Sequence, residues 1–354
     1  MIRKPGEEQD KSANMQAERP KKGVKIPKFI CKTLRLTLLL SLLIFAFLLY
    51  TVLKIRETPS VAVPMIPEMK TTALYRHVEA LSVTIGSRSV YEYDRLNAAK
   101  DYIAASLRGM GYKPEIQSYL YEGRTYGNIV ATLPGKDRPG EVVLVGAHYD
   151  TYAATPGADD NASAVAMLLE LCRILKQETH GRTLKFVFFT LEEPPVFRSK
   201  FMGSAVYAGK ARRGGENITA MICLEMLGYY TDKRGEQGFP LPFMKLFYSS
   251  TPNFIAVIGN LASRSLVWKT AASLKKTQSL NVETLSTVGF LPGIDFSDHR
   301  SFWKQGYSAV MITDTAFFRN PNYHTENDTI ETLDFNRMHI LRQGLLRTVR
   351  DLAH

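Results

Sequence analysis

Two histidines and at least four carboxylates stand just beyond short apolar runs in this sequence, each run of the kind that forms a buried strand. EVVLVGA (141–147) leads into His148 and Asp150, LKFVFFTL (184–191) into Glu192 and Glu193, and AMICL (220–224) into Glu225. Beyond SAVMIT (308–313) lies NPNYHTENDT, with His324 and Asp328, and PGADDNASA places Asp159, Asp160 and Asn161 just ahead of a helical pattern. Taken singly, each has a plain structural explanation. Asp-Asp-Asn before a helix can be an N-cap, a histidine after a strand a hydrogen-bonded loop residue, and Glu-Glu a solvated turn. Taken together, five strand exits would have to acquire such residues by accident. Carboxylates packed this closely repel one another and drive some pKa values upward, a penalty that one or two divalent cations remove. Imidazole nitrogens with carboxylate oxygens, and no thiolates, suit zinc in a catalytic site.

Such a constellation needs a scaffold that delivers distant segments to one edge. The pattern from about residue 69 alternates helices and strands. Apolar residues at 99, 102, 103, 107 and 110 form one helical stripe, Val165, Leu168, Leu169, Cys172 and Leu175 another, and a closing helix is expected over about 334–352. The four short apolar runs read as strands buried on both faces. Alternation of this kind implies an α/β fold, three layers of α/β/α around a mainly parallel mixed central sheet, and in open α/β sheets ligands bind at the carboxyl ends of the strands. Residues 229–300 are the least regular part; YYTDKRGEQGFPLPF reads as a long loop able to shape a substrate pocket.

GAHYDT, PGADDNASA, FFTLEEPP, the acid after the next strand, SDHRSFW and NYHTENDTIETLDF together resemble the co-catalytic di-zinc exopeptidases of metallopeptidase family twenty-eight, which includes bacterial secreted aminopeptidases and has glutamate carboxypeptidase and glutaminyl cyclase as relatives. The resemblance spans roughly residues 70–350. It implies two zinc ions per chain: His148 and Glu225 on one, Glu193 and His324 on the other, and Asp160 bridging both. It implies Glu192 as general base and later acid, Asp150 as acceptor of the second imidazole N–H of His148, and a cis peptide at Asp160–Asn161. Glu225 occupies a position commonly held by Asp in the simpler aminopeptidases. His299, in SDHRSF, is either a substrate-pocket donor to a developing oxyanion or a structural histidine on a helix.

The reaction so implied is hydrolysis of a peptide substrate by a zinc-activated water, with an aminopeptidase expected first. A glutaminyl cyclase or a carboxypeptidase of the same fold, or an interaction ectodomain without catalysis, are the alternatives; the complete set of ligand positions argues against the first and last.

Bulk properties exclude other classes. At 45% apolar and 22% charged residues the chain is globular in composition, and its charge of +11 is uneven: residues 1–53 carry ten Lys/Arg and four Asp/Glu. A nucleic-acid binder would concentrate basic charge on its folded part, so none is expected as a partner. Three cysteines make no disulfide framework. Leu36 to Leu53 is eighteen residues without a charge, about long enough to span a bilayer as one transmembrane helix. Lys21, Lys22, Lys25, Lys28, Lys32 and Arg35 precede it, which places the N-terminus in the cytosol and exports the chain beyond residue 54. The charged KIRE after the run speaks for an uncleaved anchor rather than a secretory signal. The expected organisation is a basic cytosolic tail (1–35), an anchor (36–53), a proline-bearing stalk (54–68) and a zinc peptidase domain (69–354).

Overall fold

The computed structural model describes residues 28–54, 63, 65–277, 280–289 and 291–354. The chain divides into two units, Met1–Ile55 and Arg56–His354. Within the first, helix α1 runs Lys28–Lys54, with side chains described over 32–46, where its leucines are exposed. Among the described residues no helix is long and apolar enough to cross a membrane; residues 47–53 of the expected anchor lie outside the described side chains.

The second unit is built on one eight-stranded sheet. Its strands are β1 (Glu115–Tyr121), β2 (Arg124–Leu133), β3 (Arg138–His148), β4 (Arg182–Phe189), β5 (Asn217–Glu225), β6 (Phe254–Asn260), β7 (Asn281–Thr287) and β8 (Ala309–Thr313), in the order β1-β2-β4-β3-β5-β8-β6-β7. The central β4-β3-β5-β8 block is parallel, as is β6-β7, while β1-β2, β2-β4 and β8-β6 are antiparallel. The sheet is therefore mixed and mostly parallel.

Alternation along the central strands explains why it must be covered on both sides. Val143, Val145 and Ala147 of β3, Leu184, Phe186 and Phe188 of β4, and Ile222 and Leu224 of β5 join one apolar cluster. The intervening Val142, Leu144, Val187, Phe189, Met221 and Cys223 join a second. The first cluster is closed by α2 (Ala73–Glu79), α3 (Tyr93–Gly109), α4 (Ala164–Leu175), α6 (Arg264–Lys276) and α8 (Phe335–Ala353), the second by α5 (Gly203–Arg213) and α7 (His299–Lys304). Helix α4 is the most enclosed, with Leu168, Leu169 and Cys172 fully buried. Each such Leu contributes about 2 kcal/mol of transfer free energy. The result is a stiff platform whose central strands β4, β3, β5 and β8 all end at the same edge.

Candidate metal centre

That edge carries the predicted residues. His148 is the last residue of β3 and Glu225 the last of β5; Glu192 and Glu193 follow β4 by three and four residues; Asp160 precedes α4; His324 lies in the loop after β8. His148 Nε2 is 3.4 Å from Asp160 Oδ1 and 3.4 Å from Glu225 Oε2. His324 Nε2 is 3.3 Å from Asp160 Oδ2 and 3.2 Å from Glu193 Oε2. The two oxygens of Asp160 thus face two different imidazoles. His299 is not brought to this group. It is fully buried in α7 with Nε2 2.7 Å from the Ile294 carbonyl and its ring edge-on to Trp303, and burial lowers its pKa to about 4. The other ring nitrogen, Nδ1, is buried without a hydrogen-bond partner.

Whether these residues fit a metal can be asked from their spacing. A tetrahedral zinc with bonds of about 2.0–2.1 Å holds its ligand atoms about 3.3–3.4 Å apart. The four separations above match that edge and are long for hydrogen bonds. Asp160 Oδ1, Glu192 Oε1 and His324 Nε2 are buried with no hydrogen-bond partner, an arrangement that costs free energy unless something else satisfies them. His148–Asp160–Glu225 and Asp160–Glu193–His324 each form a metal-competent triple, as does His148–Glu192–Glu193. The donors fit zinc.

The electrostatics agree. Burial, aided by neighbouring acids, pushes Glu192 far above the usual carboxylate range, Glu193 up to about 8, and Glu225 upward. Asp160 is held below its ordinary value: burial is the largest single influence and acts upward, but the His324 ring 3.3 Å away and the charges of both imidazoles outweigh it. Burial also lowers His148 and His324, yet the facing acids overcome it and raise His148 well above normal and His324 to about 10. Without a metal, protons on the imidazoles hold the acids together. A divalent cation does the same work and displaces them.

The backbone around each candidate ligand sets where its side chain points. Adjacent side chains on a regular strand point to opposite faces, so Glu192 and Glu193 cannot share a site while β4 continues. The strand ends at Phe189, and Leu191 turns the chain with a left-handed φ of 56°. The Asp150 carboxylate then accepts both consecutive amides, from Glu192 N–H at 3.1 Å and Glu193 N–H at 3.0 Å. This refines the expectation for Asp150. His148 Nδ1 lies nearer the Asp150 main-chain oxygen (3.2 Å) than its carboxylate (3.6 Å), whose oxygens each accept one N–H of the turn.

Asp328 repeats the device on the other loop, accepting Asp159 N–H at 2.9 Å and Asp160 N–H at 3.0 Å. The expected cis peptide at Asp160–Asn161 is present, and Pro194–Pro195 is cis as well. None of Asp159, Asp160 and Asn161 caps α4. Instead Asp159 accepts from Gly228 N–H and from Asn320, and Asn161 clasps the end of β5 through the Leu224 carbonyl and the Met226 amide. The polar residues around Asp160 therefore tie its loop to the strand exit that carries Glu225, to which Ser297 Oγ also donates. His324 is sandwiched between Tyr152 and Tyr323, stacked at 4.2 and 3.7 Å.

Gly157, with φ of 60°, starts the Asp160 loop; a Cβ there would lie 2.3 Å from Thr151 Cγ2 and 2.4 Å from the Asp160 carbonyl oxygen. Gly157→Ala should cost at least about 2 kcal/mol, through left-handed strain and overlap with backbone, and a thermal melt against wild type checks it.

Beside Glu225 opens a partly solvent-open pocket with a cavity volume of about 90 Å³. Its wall is largely apolar, with Phe254, Ala256, Ile258, Phe296, Met311 and Phe318 among its residues, and Phe239 and Met244 from the irregular segment between β5 and β6. Apart from a short 3-10 turn (Pro242–Leu246), that segment holds no helix or strand. The loop expected there thus lines a pocket that reaches the metal-site residues.

Comparisons with known proteins agree with this geometry. Residues 128–349 match the model of Peptidase family M28. The chain is 40% identical over 281 residues to the uncharacterized protein YfbL of Escherichia coli K12, covering 77% of this chain and 85% of that one. It is 27% identical over 228 residues to a probable leucine aminopeptidase of Trichophyton verrucosum, covering 60% of this chain; this chain spans only about half (53%) of that relative's length. In fold it resembles BSAP, a zinc aminopeptidase from Bacillus subtilis, with a TM-score of 0.62 and 16% identity, over 81% of this chain and 95% of that one. With the family model covering more than half of the sequence, and YfbL alike along three quarters of it, kinship is plain: the chain belongs to Peptidase family M28 and is a zinc metallopeptidase.

Proposed function

We propose that the protein is a membrane-anchored di-zinc aminopeptidase that removes N-terminal residues from peptides. The observation that carries the reading is the division of Asp160 between two imidazoles, Oδ1 towards His148 and Oδ2 towards His324, with Glu225 beside the first and Glu193 beside the second. In this reading His148, Asp160 and Glu225 hold one zinc, and Asp160, Glu193 and His324 the other.

Zinc bound there supplies a Lewis acid that polarises the scissile carbonyl and acidifies a water. Glu192 is the proton carrier. Its Oε1 is buried without a partner and its Oε2 lies 4.0 Å from His148 Nε2, so it borders the ligands without being consumed by a hydrogen bond. It takes the proton of the attacking water and returns it to the leaving amine. Asp150 fixes the Glu192 main chain, and with it the reach of the carboxylate.

Resemblance to leucine aminopeptidases and the apolar cavity beside Glu225 support cleavage after a large apolar N-terminal residue. Ala256→Phe, projecting from β6 into that cavity, should lower kcat/KM for Leu and Phe substrates at least tenfold relative to Ala substrates, since each lost methylene contact is worth about 1–3 kcal/mol. Unchanged selectivity would place the side-chain pocket elsewhere.

The anchor belongs to the same proposal. Eighteen uncharged residues preceded by six cations within fifteen positions support a single-pass helix with cytosolic N-terminus and exported catalytic domain. Protease digestion of intact cells or spheroplasts should remove the C-terminal domain and spare the tail. The metal count tests the site: two zinc ions per purified chain are expected, while one zinc with pyroglutamate formation from N-terminal Gln would move the protein to the cyclase branch.

A further inference from the structure

Arg88 is fully buried in the segment between α2 and α3. Among the described residues its guanidinium contacts main-chain oxygens and no carboxylate. Nε donates to the Tyr149 carbonyl at 2.7 Å, Nη1 to Pro156 at 2.8 Å, and Nη2 to Gly157 at 2.9 Å, with longer Nη1 contacts of 3.3 Å to Leu81 and Gly86. Its own amide donates to Thr151 Oγ1 at 3.1 Å. A buried cation with no counter-ion in contact is costly.

The acceptors show what it does. Tyr149 lies between His148 and Asp150, and Pro156 and Gly157 immediately precede the Ala158–Asp159–Asp160 stretch. One planar group therefore joins the loop leaving β3 to the loop entering α4, and these loops carry the two residues whose side chains face each other at 3.4 Å across the site. Burial lowers the Arg88 pKa to about 10, and the charges of Asp328, Asp150, Asp160 and Glu193 counter that fall, so its positive charge also acts on the acids of the site. Arginine suits the task because its donors form a rigid fork, whereas lysine offers a point charge on a flexible stem.

We propose that Arg88 is a positioning residue that sets the separation of His148 and Asp160, and through it the affinity of the centre for zinc. The inference rests on the reading of that centre as a zinc site. The test is competition for zinc alone between a chelating dye and full-length wild type, Arg88→Lys and Thr151→Val, with zinc-free thermal melts and kcat and KM alongside. Arg88→Lys keeps the charge and loses the fork. It should bind zinc about ten- to a hundredfold more weakly, the range for groups that orient metal ligands, with kcat reduced and KM little changed.

If Arg88→Lys only melts at a lower temperature while zinc affinity and kcat stay at wild-type values, Arg88 is a fold-stabilising residue and the proposal fails. Should Arg88→Lys not fold, Thr151→Val decides. It is isosteric and removes only the hydroxyl that accepts the Arg88 amide; a several-fold loss of zinc affinity supports the proposal, and wild-type affinity overturns it. Failure of wild type itself to bind zinc would instead refute the zinc-site reading, and this inference with it.

Discussion

Replacing Glu192 with glutamine should leave zinc content and KM near wild type while kcat falls about 10²–10⁴-fold, the usual share of a positioned acid–base group. Gln matches Glu in size and shape, and the Glu192 main chain is held independently through its amide on Asp150, so the loop should not move. What is lost is the ability to accept and return a proton. Glu192 is not the nearest acid to either imidazole: its 4.0 Å from His148 compares with 3.2–3.4 Å for Asp160, Glu225 and Glu193. Metal binding should therefore survive. Turnover within tenfold of wild type would mean that another group carries the proton; zinc loss in parallel with activity would make Glu192 a ligand.

Asp160→Ala should have the larger effect on the metal itself. Glu225 and Glu193 each face one imidazole, whereas Asp160 faces both. Removing it opens both halves of the centre and leaves His148 and His324 without their shared acid, so zinc content should drop below one per chain and activity below detection. Glu193→Ala, which strips only the His324 side, should keep about one zinc per chain. Metal analysis of the two variants after equal dialysis separates these outcomes, and a zinc-free melt of each controls for folding. Equal zinc retention in the two variants would contradict the bridging assignment.

The parts of the fold legible in the sequence are those whose chemistry is local. β3, β4, β5 and β8 are buried on both faces, so they stand out as continuous apolar runs. α3 and α8 carry one-sided apolar stripes, and α4 is apolar on nearly every side. β1 alternates exposed and half-buried residues at the sheet edge, and β7 is half-buried throughout with a polar sequence, NVETLST; neither leaves a pattern distinct from a loop, which is why residues 229–300 hide β6, α6 and β7. β6 (FIAVIGN) does carry an apolar run, but it is short and set among irregular segments.

The candidate site is legible because its acids and imidazoles stand next to apolar strand or helix patterns, most of them in adjacent or closely spaced pairs. The groups that support them are not. The family resemblance pairs Asp150 with the His148 ring, yet its carboxylate mainly holds the Glu192–Glu193 turn, a contact between residues 42 and 43 positions apart. Arg88 acts across 61 to 69 residues on carbonyl groups that no side-chain pattern reports. Tyr152 reaches His324 only through the fold, and no spacing could have found it. Asp328 is visible as an acid beside His324, and only the structure gives its part in gripping the Asp160 loop.

The most direct test of the central claim is hydrolysis of one peptide in two forms, Leu-Ala-Gly with a free α-amine and the same peptide N-acetylated, by the zinc-loaded full-length protein. A di-zinc aminopeptidase should release free leucine from the first and leave the second uncut, with the activity abolished by a chelator and restored by zinc. Cleavage of the acetylated peptide at a comparable rate, or removal of glycine from the C-terminus, would contradict it.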